Sequence, residues 1–293
     1  MITPLFTQAF PKDSLAFKEL VDATVNISLQ EDIGTGDLTA ELIPEAQTAH
    51  ATIISREHVV ICGIPWANAC FHQLDKNIKI HWNVKDGDII KADHVLCTIT
   101  GNARAMLTAE RTALNFLQTL SATATETRLH VEAIAGLPTK ILDTRKTIPG
   151  LRMAQKYAVV VGGGLNQRLA LYDGILIKEN HIAAAGSIKA ALDAAYKLNK
   201  TKSIQIEVED IVQLQEALDA GATSILLDNF NCDQLREAVK LNQHRAVLEA
   251  SGNVNLQTVR TIAETGVDRI SIGGLTKHIK AADLSMRINM HIT

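Results

Sequence analysis

The sequence predicts a two-domain α/β protein: a mixed α+β domain followed by a parallel βα barrel, closed or incomplete. Three observations carry that expectation. At 293 residues the chain exceeds the usual size of a single core. Between Ala49 and Leu96 it breaks into short runs rich in β-branched residues, ATIISRE, HVVICG, IKIHWNV, DIIK and HVLCTIT. After Gly136, strand-like runs alternate with amphipathic segments at short period, which is the signature of parallel βα units.

Composition narrows the function classes. An apolar content of 46% against 21% charged residues suits a globular protein with a large core. No uninterrupted apolar run reaches the ~18 residues of a membrane span, and MITPLFTQAFPKDS lacks a basic region ahead of an apolar one. No membrane partner and a cytoplasmic location are therefore expected. The four cysteines, Cys62, Cys70, Cys97 and Cys232, form no CxxC pair and read as reduced structural thiols. A net charge of -3 with 4% aromatics argues against a nucleic-acid surface.

Taken in order, Leu15, Leu20, Val21, Val25 and Leu29 recur at helical spacing behind Ser14, a suitable N-cap. EDIGTGDLT then breaks the helix, with Asp32 and Asp37 read as turn residues. A short helix is expected around Trp66 to Leu74, and VKDGDII reads as a hairpin through Asp86-Gly87. From Ala103 to Ala135 a long helix carries Met106, Leu107, Leu114, Leu117 and Leu120 on one side, with Arg104 and Arg111 sharing a face. A solvated helix charge is the plain reading of Arg111.

Beyond it come TKILDTRK, GILIKENH, SIQIEVED, SILLDNF, RAVLEASGN and RISIGG, with helical segments between most of them. Barrels of this kind place their chemistry at the C-terminal strand ends. Those ends supply Arg145, Lys146, Lys178, Glu179, Asn180, Glu207, Glu209, Asp228, Asn229, Glu249, Ser251, Gly252, Gly273 and Gly274. The stretch from Asp143 to His181 also holds Arg152, Lys156 and Arg168, a local positive excess that calls for an anionic partner. Gly162-Gly163-Gly164 reads as a flexible turn where amides approach that anion.

Alternation along a strand points Glu207 and Glu209 the same way, giving with Asp228 an acidic set opposite the basic one. Such a mouth suits a polyanionic substrate that develops positive charge, although a network of paired buried ions explains the same residues nearly as well. The glycines of SGN and IGG suit a phosphate, with tight turn packing as the other reading. His181 reads as a structural histidine. GGGLNQR is neither a P-loop nor GxGxxG.

DTRKTIPGLR, GGGLNQRLALYDGILIKENH, EVE, LLDNF, EASGNV and SIGGLTK, with EDIGTGDLTA and AERTALNFLQ upstream, together resemble the quinolinate phosphoribosyltransferase family over nearly the whole chain. The resemblance implies an N-terminal α/β sandwich domain over 1–108, joined by a C-terminal helix over 276–293, and an incomplete α/β barrel of type II phosphoribosyltransferase kind over 109–275. It implies transfer of phosphoribose from phosphoribosyl pyrophosphate to quinolinate, with loss of pyrophosphate and carbon dioxide, in NAD biosynthesis. It further implies Mg²⁺ and a homodimer in which Arg111 completes the neighbour's site.

By the same resemblance Arg111, Thr144, Arg145, Lys146, Arg168 and Lys178 form the basic pocket. Glu209 and Asp228 stand near the ribose and its metal, while Ser251, Gly252, Asn253, Ile272, Gly273 and Gly274 form phosphate-binding turns. Lys146, Glu209 and Asp228 are the expected catalytic set. Where the family pattern leads one to expect Asn-His-Arg, this chain has Asn166-Gln167-Arg168, so a cationic histidine is not essential here. Two other readings are a molybdenum-associated paralogue of the same fold and a non-catalytic sensor of a polyanionic metabolite. The intact basic pocket weighs against the first, and the retention of both Glu209 and Asp228 against the second.

Overall fold

The computed structural model describes residues 3–198 and 202–290. Helix α1 (Leu5–Ala9) precedes α2 (Leu15–Ile33). The Ser14 hydroxyl accepts from Phe17 N at 3.2 Å, and Phe17, Val21, Val25 and Leu29 bury one i, i+4 stripe. Gly34, in the left-handed half of φ space at +53°, ends the helix. Asp37 then ties the following turn, its Oδ1 accepting from Thr39 N and Ala40 N and its Oδ2 from the Thr108 hydroxyl. That is the structural role expected of it.

Next come β1 (Thr48–Ser55), β2 (Val59–Val60), α3 (Ile64–Leu74), β3 (Lys79–Trp82), β4 (Ile89–Ile90), β5 (Val95–Asn102) and the long α4 (Ala103–Ala133). They are followed by β6 (Lys140–Leu142), α5 (Arg152–Val161), β7 (Gly174–Ile177), α6 (Glu179–Ala185), α7 (Ile188–Leu198) and β8 (Ser203–Val208). The chain continues through α8 (Ile211–Asp219), β9 (Ser224–Asp228), α9 (Cys232–Asn242), β10 (Val247–Ser251), α10 (Val259–Ala263), β11 (Arg269–Ser271), α11 (Gly274–Lys277) and β12 (Leu284–Met290).

The chain divides into two compact units. The first takes residues up to Arg128 together with Ile148–Gly163 and His278 onward. Its antiparallel sheet has the order β12-β1-β5-β3, and β2 pairs separately with β4. Two sequence expectations are corrected here. The helix expected over 276–293 is instead the short α11 and the strand β12, which pairs with β1 along its whole length; residues 291–293 lie outside the described residues. VKDGDII is not a hairpin, because β3 pairs with β5 and β4 with β2, and Gly87 N donates to Ile61 O. The unit boundary also differs from a cut at 108, since α4 up to Arg128 and the whole of α5 belong to the first unit.

Inside this unit Asp86 is the joint. Its Oδ1 accepts from Ile64 N, the first residue of α3, and its Oδ2 accepts from the Tyr157 hydroxyl of α5 at 2.6 Å. Burial pushes its carboxyl above the usual range, against those hydrogen bonds, which pull it down. Tyr157 itself packs among Phe6, Phe17 and Trp66.

The second unit spans Leu129–Thr147 and Gly164–Lys277. Its six strands are all parallel, in the order β6-β11-β10-β9-β8-β7. Among the described residues the edge strands β6 and β7 do not pair with each other, and β6 makes only an isolated bridge from Leu142 to Leu165 on that side, so the barrel is incomplete. Ile177, Ile204, Ile206, Val208, Ile225, Leu227, Leu248, Ala250 and Ile270 pack with Leu192, Leu214, Leu235 and Val259 of the helices into one core. Those strand positions all face the helix layer. The alternate positions therefore face the barrel interior.

Candidate active site

That alternation decides which strand-end side chains share the interior. Lys178, Glu207, Glu209, Asp228, Ser251 and Gly273 all have the inward parity, and Asp228 is the direct register partner of Ser251. Lys178 Nζ sits 2.7 Å from Glu207 Oε2, so this cation already has a carboxylate partner. Glu209 is exposed and Asp228 partly so. Asp228 Oδ2 accepts from Asn229 Nδ2 at 2.8 Å.

The loop after β6 is pinned to the turn after β11. Lys146 N donates to Thr144 Oγ1 at 3.0 Å, and the Thr276 hydroxyl donates to Lys146 O at 2.7 Å. A Cβ on Gly273 would stand 2.8 Å from Lys146 Cδ, so the absence of a side chain there is what lets the lysine stem lie across the strand end. At the next turn Gly252, φ +106°, has its Cβ position filled by Asn229 Oδ1, and Asn229 and Asn253 are themselves left-handed. Ile272 is buried in the core and its amide donates to Leu142 O, so its carbonyl is what it can offer a ligand. Gly274 opens the four-residue α11.

Arg145 and Arg168 lie near enough for their charges to interact. The Arg168 guanidinium is shifted below its ordinary value by burial and then by the positive charge of Arg145, with Asp173 opposing. Arg145 Nε is buried with no hydrogen-bond partner, and Arg168 Nη1 donates to Gly174 O at 3.3 Å. Asp173 is occupied in closing its own loop, accepting from Leu169 N and Ala170 N. Two guanidiniums near enough for their charges to interact make a positive region that would suit an anion, a planar carboxylate in particular.

The chain matches two family models: "Quinolinate phosphoribosyl transferase, N-terminal domain" over residues 37–121 and "Quinolinate phosphoribosyl transferase, C-terminal domain" over residues 123–287. The chain belongs to the quinolinate phosphoribosyl transferase family. It is 42% identical over 261 residues to a probable nicotinate-nucleotide pyrophosphorylase [carboxylating] of Bacillus subtilis, covering 89% of this chain and 90% of that one. It is 39% identical over 292 residues to a protein of the same description from Synechocystis, covering 98% and 99%. A solved structure of the nicotinate-nucleotide pyrophosphorylase from Francisella tularensis superposes with a TM-score of 0.90 at 47% identity, covering 93% of this chain and 97% of that one.

Against the family expectation the residues sort as follows. The second unit carries Thr144, Arg145, Lys146, Lys178, Glu209, Asp228, Ser251, Gly252, Asn253, Ile272, Gly273 and Gly274 at its strand ends and the loops that follow them, and Arg168 in the segment between the Leu165 bridge and β7. Arg111 lies in the first unit, exposed on α4. Arg104, on the same helix face, is engaged instead with the chain before β1, donating from Nε to Ile43 O at 2.5 Å. Lys156, counted among the cations of the basic stretch, is fully buried in the first unit. Glu249 lies deep in the barrel, 1% exposed, and is no mouth residue.

The triple glycine is corrected too. Gly162 N caps α5 on Ala158 O, and a Cβ there would stand 2.5 Å from Ala124 O and 2.6 Å from Thr127 Cβ. It is a packing contact against α4, and the adjacent Gly163 takes φ +95° to turn the chain. His181 behaves as expected of a structural histidine, its Nδ1 accepting from Lys178 N at 3.0 Å. Gln205 was missed by sequence reasoning, although a polar residue two positions before Glu207 already carried the inward parity.

Proposed function

We propose that this chain transfers phosphoribose from phosphoribosyl pyrophosphate to quinolinate and decarboxylates the product, giving nicotinate mononucleotide, pyrophosphate and carbon dioxide for NAD biosynthesis. The observation that carries the reading is the Arg145–Arg168 pair, an anion receptor at the mouth of a barrel whose family acts on a pyridine dicarboxylate. Arg145, Arg168 and Lys146 would hold the carboxylates, helped by Thr144. Lys178 would serve carboxylate or pyrophosphate charge, with Glu207 tempering it. Ser251, Gly252, Asn253, Gly273, Gly274 and the Ile272 carbonyl edge would line the phosphate turns.

The chemistry then needs no covalent enzyme nucleophile. The ribose C1–O bond breaks with its electrons leaving on pyrophosphate, and Glu209 and Asp228 offset the positive charge left on the ribose. The pyridine nitrogen forms the new bond to C1. The ring is then cationic, so when the 2-carboxylate C–C bond breaks and carbon dioxide leaves, the electron pair stays on carbon 2, stabilised by the adjacent positive nitrogen, and a proton is taken up there.

Glu209 and Asp228 also fit a magnesium ion in part. Among the described residues no group of three or more His, Cys, Asp and Glu side chains gathers to hold a metal. Two hard carboxylates suit Mg²⁺ where substrate phosphates complete its shell. Bound there, the ion would neutralise charge on the departing pyrophosphate.

Arg111, exposed and on a helix, is proposed to enter the site of a second copy in a homodimer, so that each site draws on both subunits. The four cysteines are all free, which supports a reducing compartment such as the cytoplasm.

The test supplies purified protein with phosphoribosyl pyrophosphate, Mg²⁺ and either quinolinate or nicotinate. A guanidinium left without its carboxylate costs ~1–3 kcal/mol, so quinolinate should be preferred about 5- to 150-fold. Equal use of the two acids would sink the assignment. For the dimer, Arg111→Ala and Lys146→Ala are mixed under subunit exchange, where one site of each mixed dimer is intact and up to about half of its activity returns. Exchange without recovery would place Arg111 in its own chain's site.

A further inference from the structure

Below the mouth, the barrel interior holds a chain of side-chain amides that reaches the candidate site only at the main chain of Arg168. Gln205 and Glu249, both inward on β8 and β10, are 6% and 1% exposed. Gln205 Nε2 donates to Glu249 Oε2 at 3.0 Å, and Gln205 Oε1 accepts from Gln167 Nε2 at 2.9 Å. Gln167 Oε1 in turn accepts from the main-chain N–H of Arg168 at 2.7 Å. The same residue is held from the other side, Gln167 N donating to Asp143 Oδ1, while Asn166 Nδ2 donates to Asp143 Oδ2.

The direction of this chain is forced from one end. A main-chain N–H can only donate, so Gln167 must turn its oxygen to Arg168 and its NH₂ to Gln205. Gln205 must then accept with its oxygen and offer its own NH₂ inward, which requires an acceptor at Glu249. Each link therefore depends on the one before it, and the chain ends on a carboxyl that burial pushes toward its neutral form.

We infer that Gln205 and Glu249 are positioning residues for Arg168: acting through Gln167, they fix the segment that holds the Arg168 guanidinium beside that of Arg145. The inference rests on the dicarboxylate reading of that pair. Its physical need is plain, because two guanidiniums repel and each has a long, flexible stem, so the pair stays together only if the main chain carrying it cannot swing. It also assigns Gln167 a different task from that of a ligand, since its oxygen and an amide hydrogen are already used within the barrel.

The test compares Gln205→Leu, Gln205→Asn, Glu249→Leu and Glu249→Gln for the KM of each substrate, kcat, and hydrogen exchange at the Arg168 amide of the free protein. Asparagine is too short to span Gln167 and Glu249, and serves should the leucine variants not fold. Glu249→Gln keeps an acceptor toward Gln205, so it should stay within about twofold of the unaltered protein. The Gln205 variants and Glu249→Leu should raise the quinolinate KM about tenfold, leave that of phosphoribosyl pyrophosphate within about twofold, and speed exchange at Arg168.

Equal rises in both KM values, or Glu249→Gln as damaging as Glu249→Leu, would mean a general loss of the barrel and overturn the inference. If the unaltered protein does not use quinolinate, the proposed function falls; exchange at Arg168 then decides alone, and an unchanged rate in the Gln205 variants overturns the positioning role.

Discussion

Gly162→Ala separates packing from ligand binding at the triple glycine. Gly162 has an ordinary helical φ of -68°, so alanine there would gain ~0.4–1 kcal/mol by restricting the unfolded chain. Against that gain stands a Cβ placed 2.5 Å from Ala124 O and 2.6 Å from Thr127 Cβ, both on α4. Neither is the free end of a flexible side chain, so α5 and α4 must move apart, which costs ~1–3 kcal/mol or more. The clash outweighs the gain, for a net loss of ~1–2 kcal/mol. At about 2–4 °C per kcal/mol for a unit of this size, melting should fall by roughly 2–8 °C. Differential scanning calorimetry reads the melting, and steady-state kinetics below the transition should show substrate KM values unchanged. A variant that melts normally but loses affinity for its anionic substrates would refute the packing assignment and restore the anion cradle.

Two further outcomes follow from the first unit. Asp86 has a folded carboxyl raised chiefly by burial, so the unfolded chain gives up its proton at lower pH than the folded one does. Stability should therefore fall as pH rises from the ordinary carboxylate range to the raised folded value and level off above it. Asp86→Asn, measured by urea titration at a series of pH values, should lack that fall, and parallel curves for the two proteins would show that Asp86 does not titrate in this way. Ser14→Ala removes the hydroxyl that accepts from Phe17 N and should cost ~1 kcal/mol in the same titration, whereas no change would mean the α2 terminus frays regardless.

What the sequence made legible was local. Ser14 with the i, i+4 stripe of α2, and the strands whose alternate residues pack on helices, were readable because the pattern and the structure share one period. The mouth residues followed, since a parallel strand end is marked by where the apolar run stops. The failures are pairings and contacts made at a distance. Asp86-Gly87 has the composition of a hairpin turn, yet the amide of Gly87 goes to Ile61 and the carboxylate to Ile64 and Tyr157. LSMRINM alternates strictly, Leu284, Met286, Ile288 and Met290 against Ser285, Arg287 and Asn289, so this strand was legible by period and was lost to the helix that the family resemblance implied; only its pairing with β1 lay beyond the local pattern. Gly162 looks flexible in sequence and is a close contact in space. Lys156 counts as a cation by composition, and nothing near it in sequence announces that it is fully buried.

The pairing of β12 with β1 has a consequence for synthesis on the ribosome. Arg56 and Ser285, 229 positions apart, meet at the end of this ladder. Every strand of the barrel emerges between them, so the central strand of the first sheet waits with one edge open while the second unit is made. An open edge is a template for pairing with other chains. The nascent protein is thus most exposed to misassociation late in translation, when the barrel can already be folded and the sheet cannot yet be closed. Slowing elongation over the last strand should lengthen that interval and increase the demand for chaperones.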